Sequence, residues 1–162
     1  MIIVGIDPGR KGAIVAIGPA GSGVALPAEY YAGNRIVPTL LVDTLRALRA
    51  DCGGGPVAVV LERQQAFSGQ GVSSTFTTGI NFGMLSAVVE IIGWPLYSVT
   101  AAAWRKAAQI TTGGDPKHAT IRAVSQRLPE IDLTPGRCRV PQDGIADAAG
   151  MVLAGRVLVD GA

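Results

Sequence analysis

Apolar and polar positions alternate along this chain in two different rhythms, and the change between them marks out the elements. Residues 2–7 (IIVGID) are an apolar run that stops at an acid, followed by the turn signal DPGRKG. Residues 13–18 (AIVAIG) and 24–31 (VALPAEYY) read as two further strands, and the short turns between them predict an antiparallel meander. From 35 to 50, Ile36, Val37, Leu40, Leu41, Leu45 and Leu48 recur at helical spacing, with Asn34 as a possible cap and CGGGP as the stop. Residues 57–62 (VAVVLE) are again continuously apolar, as in a strand covered on both faces. A polar loop over 63–75, a helix over 76–93 with Phe76 and Phe82 in its core face, and a strand at 95–99 follow. Glu90 reads as that helix's solvent edge. Helices are predicted at 101–108 and 116–128, then an exposed loop at 129–142 and a last helix opening at DGIADAAG. The order β-β-β-α-β-α-β-α-α-α predicts one α/β domain over 1–162: a five-stranded mixed sheet, three strands antiparallel and two parallel, with helices on both faces.

The last helix breaks its own pattern. Ile145, Ala149, Val152 and Leu153 share one face, yet the opposite side continues as Gly150, Met151, Ala154 and Leu158. A helix apolar nearly all round is buried, and this one carries Asp143 and Asp147 at its N-terminal end. Four residues apart, these acids lie on one face. Asp143 can serve as a cap or dipole partner; Asp147 is too far inside for capping. A carboxylate buried without a partner costs several kcal/mol, and no basic residue stands beside it. Two more acids close buried strands, Asp7 after IIVGI and Glu62 after VAVVL. Alone, Asp7 reads equally well as a turn-former and Glu62 as a strand end reaching solvent. Together the four describe an oxygen-donor site suited to Mg²⁺ or Mn²⁺, and so to metal-assisted phosphoryl chemistry.

Composition narrows the classes. A chain of 162 residues with 48% hydrophobic and 16% charged positions buries a real core and is not disordered. No apolar run is long enough to span a membrane, and no signal peptide is expected. Cys52 and Cys138 form no zinc pattern, and a single histidine, His118, leaves no Ser-His-Asp triad. His118 reads as a phosphate contact or surface residue. A net charge of +2 does not by itself announce nucleic acid. The basic residues do cluster near the acids in sequence: Arg10 and Lys11, Arg63, Arg105 and Lys106, Lys117 with His118, and Arg137 with Arg139. These are candidate phosphate contacts.

GIDPG on the first strand, VVLE on the fourth and DGIADAAG on the last helix, with GQGVSS, GINFGML, WRK and PKHATIRAVSQRLPEI between them, resemble the RuvC-type Holliday-junction resolvases of the ribonuclease H-like superfamily. The glycine-rich GQGVSS is similar to the phage and plastid branch. The resemblance implies a ribonuclease H-like fold in which Asp7, Glu62, Asp143 and Asp147 are catalytic and bind two Mg²⁺ ions, with Mn²⁺ able to substitute. It further implies paired symmetric nicks in four-way junction DNA leaving 5′-phosphates, and a homodimer to match the junction's two-fold symmetry. It implies that the clustered basic residues meet DNA, with Phe67 in QQAFSGQ as a candidate wedge or stacking residue at unpaired bases, and it singles out Lys106 and Lys117 as phosphate-binding lysines. Many bacterial members space the last two acids three apart rather than four, so Asp143 is either a direct ligand or a residue that orients water. A cytoplasmic location, without membrane attachment, is expected. The alternative keeps the fold and changes the substrate to other branched DNA or RNA. An actin-like ATPase also begins GIDxG but needs two such domains, and a silent DNA-binding module would not need all four acids.

Overall fold

A computed structural model describes residues 1–66, 68–111 and 113–161. Its centre is a sheet of five strands in the order β3-β2-β1-β6-β7: β1 Ile2–Ile6, β2 Ile14–Gly18, β3 Gly21–Ala25, β6 Val57–Glu62 and β7 Leu96–Val99. β1–β2 and β2–β3 are antiparallel, whereas β1–β6 and β6–β7 are parallel. The expected mixed sheet is therefore present.

Helices cover both faces. β1 sends Ile2, Val4 and Ile6 into one core with Leu41 and Leu45 of α1 (Pro38–Asp51) and Leu85 and Val89 of α2 (Val72–Ile91). Its other face meets α3 (Ala101–Ala107), α4 (Pro116–Arg127) and α5 (Asp143–Asp160) in a second core containing Ile3, Val15, Val60, Trp104, Val124 and Ile145. From Gly144 to Gly155, α5 is buried on every side except at Asp147, as its apolar circumference requires. It lies against β1 at a distance only glycine permits. A Cβ on Gly5 would stand 2.0 Å from the Ala148 carbonyl oxygen, and one on Gly144 would stand 1.9 Å from that of Lys11. This clearance brings the α5 acids down to the sheet.

Several boundaries differ from the sequence reading. The third strand is Gly21–Ala25 rather than 24–31; Leu26 onward turns through a 3₁₀ segment, Pro27–Glu29, into a small hairpin of β4 (Tyr31–Ala32) and β5 (Arg35–Ile36). The helix expected from 35 starts at Pro38, because proline suits the first helical turn and biases the preceding residue toward extended geometry, seen at Val37 with ψ 110. Asn34 belongs to the hairpin and caps nothing. α2 begins at Val72, four residues earlier than its periodicity suggested, so Phe76 lies on the helix's exposed side and is 70% accessible rather than core. Phe82 does pack against the core, and Glu90 is exposed as expected. The 129–142 connection is a loop, though Ile131 and Leu133 are buried within it as anchors. Among the described residues, no helix is long and apolar enough to cross a membrane.

Candidate active site

The sheet register brings the first two acids together. Ile6 pairs with Leu61 across the parallel β1–β6 ladder, so the next residues, Asp7 and Glu62, leave adjacent strand ends side by side. β7 ends alongside, with Val99 opposite Glu62, and Thr100 caps α3 by accepting from the Ala103 N–H. α5 enters from the other layer, where a bridge between Gly12 and Gly144 fixes its first turn beside the β1–β2 connection.

Each acid meets a different partner. The Asp7 Oδ1 accepts from the Gly9 N–H at 3.2 Å. The Glu62 Oε2 accepts from the Trp104 indole N–H at 2.8 Å. Asp147 faces the Arg105 guanidinium at 3.4 Å, and Asp143 takes the Lys117 Nζ at 2.7 Å. Burial pushes the Asp7 carboxyl up to about 7; the Gly9 N–H opposes this, nearby Glu62 and Asp147 reinforce it, and Arg105 opposes it weakly. Asp147 is also raised, by burial first, against the pull of Arg105 and with a further push from Glu62. Lys117 is raised by its hydrogen bond to Asp143. Asp7 thus senses the charges of Glu62, Asp147 and Arg105, and Asp147 those of Arg105, Glu62 and Asp143.

Among the described residues, no three Asp, Glu, His or Cys side chains converge into a formed metal-holding group. Glu62, Asp147 and Asp143 are each turned toward a donor on α3 or α4. The donor set nevertheless fits a hard divalent cation. It is all oxygen, and the Asp7 carboxyl is lifted toward neutrality first by burial and then by neighbouring Glu62 and Asp147.

A cleft of about 740 Å³ opens over these groups, walled by Asp7, Asp143 and Asp147 together with Arg10, Lys11, Tyr31 and Lys117. A second polar cleft of about 600 Å³ shares Arg10 and Tyr31 and continues along Asn34, Gln64, Ser73, Ser74, Thr77 and Asn81. Of the other basic candidates, Arg63, Lys106, His118, Arg137 and Arg139 are exposed, and His118 lies 3.7 Å from Asp115. Arg105 is different: its side chain is only 18% exposed and faces Asp147. Phe67 lies outside the described residues.

Three residues that matter here escaped the sequence reading. Trp104, in the quoted WRK, is fully buried and holds Glu62. Tyr31 donates to the Pro8 carbonyl at 3.1 Å and walls both clefts. Asn81 is buried in α2, donates to Asn34 O and accepts from Ile36 N, so it pins the hairpin to the helix. Reading 24–31 and 35–50 as regular elements hid the hairpin, and an isolated tryptophan carries no sequence signal of a carboxylate partner.

A mixed sheet in this order, with acids at adjacent strand ends and on a helix crossing its face, defines the ribonuclease H-like fold. No protein-family model matches the chain, and no curated protein matches it. Solved structures do. Thermus thermophilus RuvC in complex with a Holliday junction substrate is 19% identical with a TM-score of 0.63, and RuvC from the same organism in a separate structure is 17% identical with a TM-score of 0.64. Each alignment covers 99% of this chain and 96% of the other. The yeast mitochondrial Holliday junction resolvase Ydc2 is 16% identical, with a TM-score of 0.52 over 98% of this chain and 80% of its own. The fold is that of RuvC.

Proposed function

We propose that residues 1–162 act as one nuclease domain, a structure-selective endonuclease that resolves four-way DNA junctions. The observation that carries this reading is the placing of Asp7 and Glu62 at adjacent strand ends of a RuvC-like sheet, with Asp7, Asp143 and Asp147 walling a cleft that also holds Arg10, Lys11 and Lys117. Asp7, Glu62 and Asp147, with Asp143 beside them, would hold two Mg²⁺ ions, which supply an activated water and neutralise charge on the phosphodiester being cut. Lys117 and the exposed Lys106 bind backbone phosphate, and the two clefts, which share Arg10 and Tyr31, give a strand a path past the acids. Lys117 exchanges its contact with Asp143 for a phosphate oxygen when DNA arrives. Two of the neighbouring structures, RuvC with a Holliday junction substrate and a mitochondrial Holliday junction resolvase, support the choice of substrate.

A four-way junction needs two symmetric nicks, so the active form is a homodimer. The exposed side of α2, carrying Val72, Phe76, Gly79, Gly83, Ala87 and Ile91, is the apolar surface suited to a second copy. Synthetic four-way junctions and linear duplex of matching sequence, incubated with Mg²⁺ or EDTA, test the proposal. Paired nicks with 5′-phosphates in the junction alone, and only with Mg²⁺, are expected. Equal cutting of linear duplex, or preference for an RNA–DNA hybrid, would instead favour a ribonuclease H-like enzyme with another substrate.

A further inference from the structure

Arg105 sits where a cation is needed, and it is held there loosely. Its Nη2 lies 3.4 Å from both Asp147 oxygens, whereas a settled charge-assisted hydrogen bond is about 2.7–2.9 Å. Its Nε is buried without a hydrogen-bond partner. The guanidinium is carried instead by its neighbour, stacked 4.4 Å from the Trp104 ring centroid. That platform is rigid. Trp104 is fully buried, its indole N–H is fixed on Glu62 at 2.8 Å, and its ring occupies a notch in α5 where a Cβ on Gly150 would approach to 2.7 Å. Two consecutive residues of α3 thus reach the carboxylates of β6 and α5, one with a neutral donor and one with a full charge.

We propose that Arg105 is an exchangeable counter-cation: it shields Asp147 in the metal-free protein and yields that carboxylate when a divalent ion enters. The inference rests on reading the acids as a cation site. A firmly bonded arginine would block the ion, and an absent one would leave three mutually repelling acids near one another. The stretched contact lies between these extremes, and stacking on Trp104 gives the guanidinium a place to remain after Asp147 is released. Arg105 is a positioning residue in this scheme, setting metal affinity rather than touching the scissile bond.

Calorimetric titration of the full chain with Mn²⁺ tests this directly. Arg105→Gln removes a competing positive charge and should bind Mn²⁺ about tenfold more tightly, while its metal-free form melts at a lower temperature. Arg105→Lys, which restores the charge, should return affinity to within about threefold of the wild type. Should Arg105→Gln not fold, the nitrogen-15 NMR signal of the Arg105 side chain in the wild type decides: saturating Mg²⁺ should shift it. Equal or weaker Mn²⁺ binding by Arg105→Gln, or an unmoved Arg105 signal at saturation, overturns the inference alone. A wild-type protein that binds neither ion overturns the cation-site reading with it.

Discussion

Replacing Asp7 by Asn should make the metal-free protein more stable while abolishing cleavage, and the gain should depend on pH in a defined direction. The folded-state carboxyl is raised from 3.8 to about 7. Below about pH 4 the group is protonated in both folded and unfolded chains and contributes nothing to their difference. Between about pH 4 and 7 the unfolded chain loses the proton that the folded one keeps, so stability falls as pH rises. Above 7 the cost is complete. Roughly three units at 1.36 kcal/mol each give an upper value of about 4 kcal/mol. Asn carries no charge and its Oδ1 can still accept from the Gly9 N–H, so the variant escapes this cost. Urea unfolding in EDTA should therefore show Asp7→Asn more stable by about 2–4 kcal/mol at about pH 8, with little difference near pH 4. Added Mg²⁺ should stabilise the wild type through preferential binding to the folded state and the variant much less. A variant equal to or weaker than wild type at about pH 8, or a gap that does not shrink toward pH 4, would refute the argument.

Other outcomes follow from separate features. Asp147→Asn should stop junction cleavage yet preserve or tighten junction binding in a gel-shift assay, because it removes a charge that repels phosphate. Lys117→Ala should weaken junction binding and reduce the slope of log affinity against log salt by about one; an unchanged slope would remove Lys117 from the interface. Gly5→Ala should cost about 3 kcal/mol or more in thermal or urea unfolding, since its Cβ would meet the Ala148 carbonyl oxygen, a backbone atom that cannot swing aside. Phe76→Asp should leave the melting temperature nearly unchanged, because the side chain is exposed, but should shift the protein to monomer in light scattering.

The strands were legible wherever burial leaves a continuous apolar run. β1, β2 and β6 lie in the middle of the sheet and are covered on both faces, so their sequences carry the signal directly. β3 is an edge strand written GSGVA, and its weak hydrophobicity let the neighbouring VALPAEYY pass for the strand instead. The early start of α2 was hidden because its first turns, VSSTFTT, are exposed and show no apolar period. Among the acids, Asp7 and Glu62 could be placed at strand ends by pattern alone, and Asp147 stood out as charge in an otherwise apolar helix.

By itself the sequence determined which segments must be buried, in what order strands and helices follow, and that four carboxylates stand at element ends without a histidine or cysteine cluster. Those are local properties, written in hydrophobic period and in the placement of charge. Only the tertiary structure decided which groups those carboxylates face. The β1–β6 register sets Asp7 beside Glu62, the glycine contacts of α5 bring Asp147 down to them, and α3 delivers Trp104 and Arg105, each 42 positions along the chain from the acid it meets. Such partnerships depend on packing distances between layers, which no local pattern encodes.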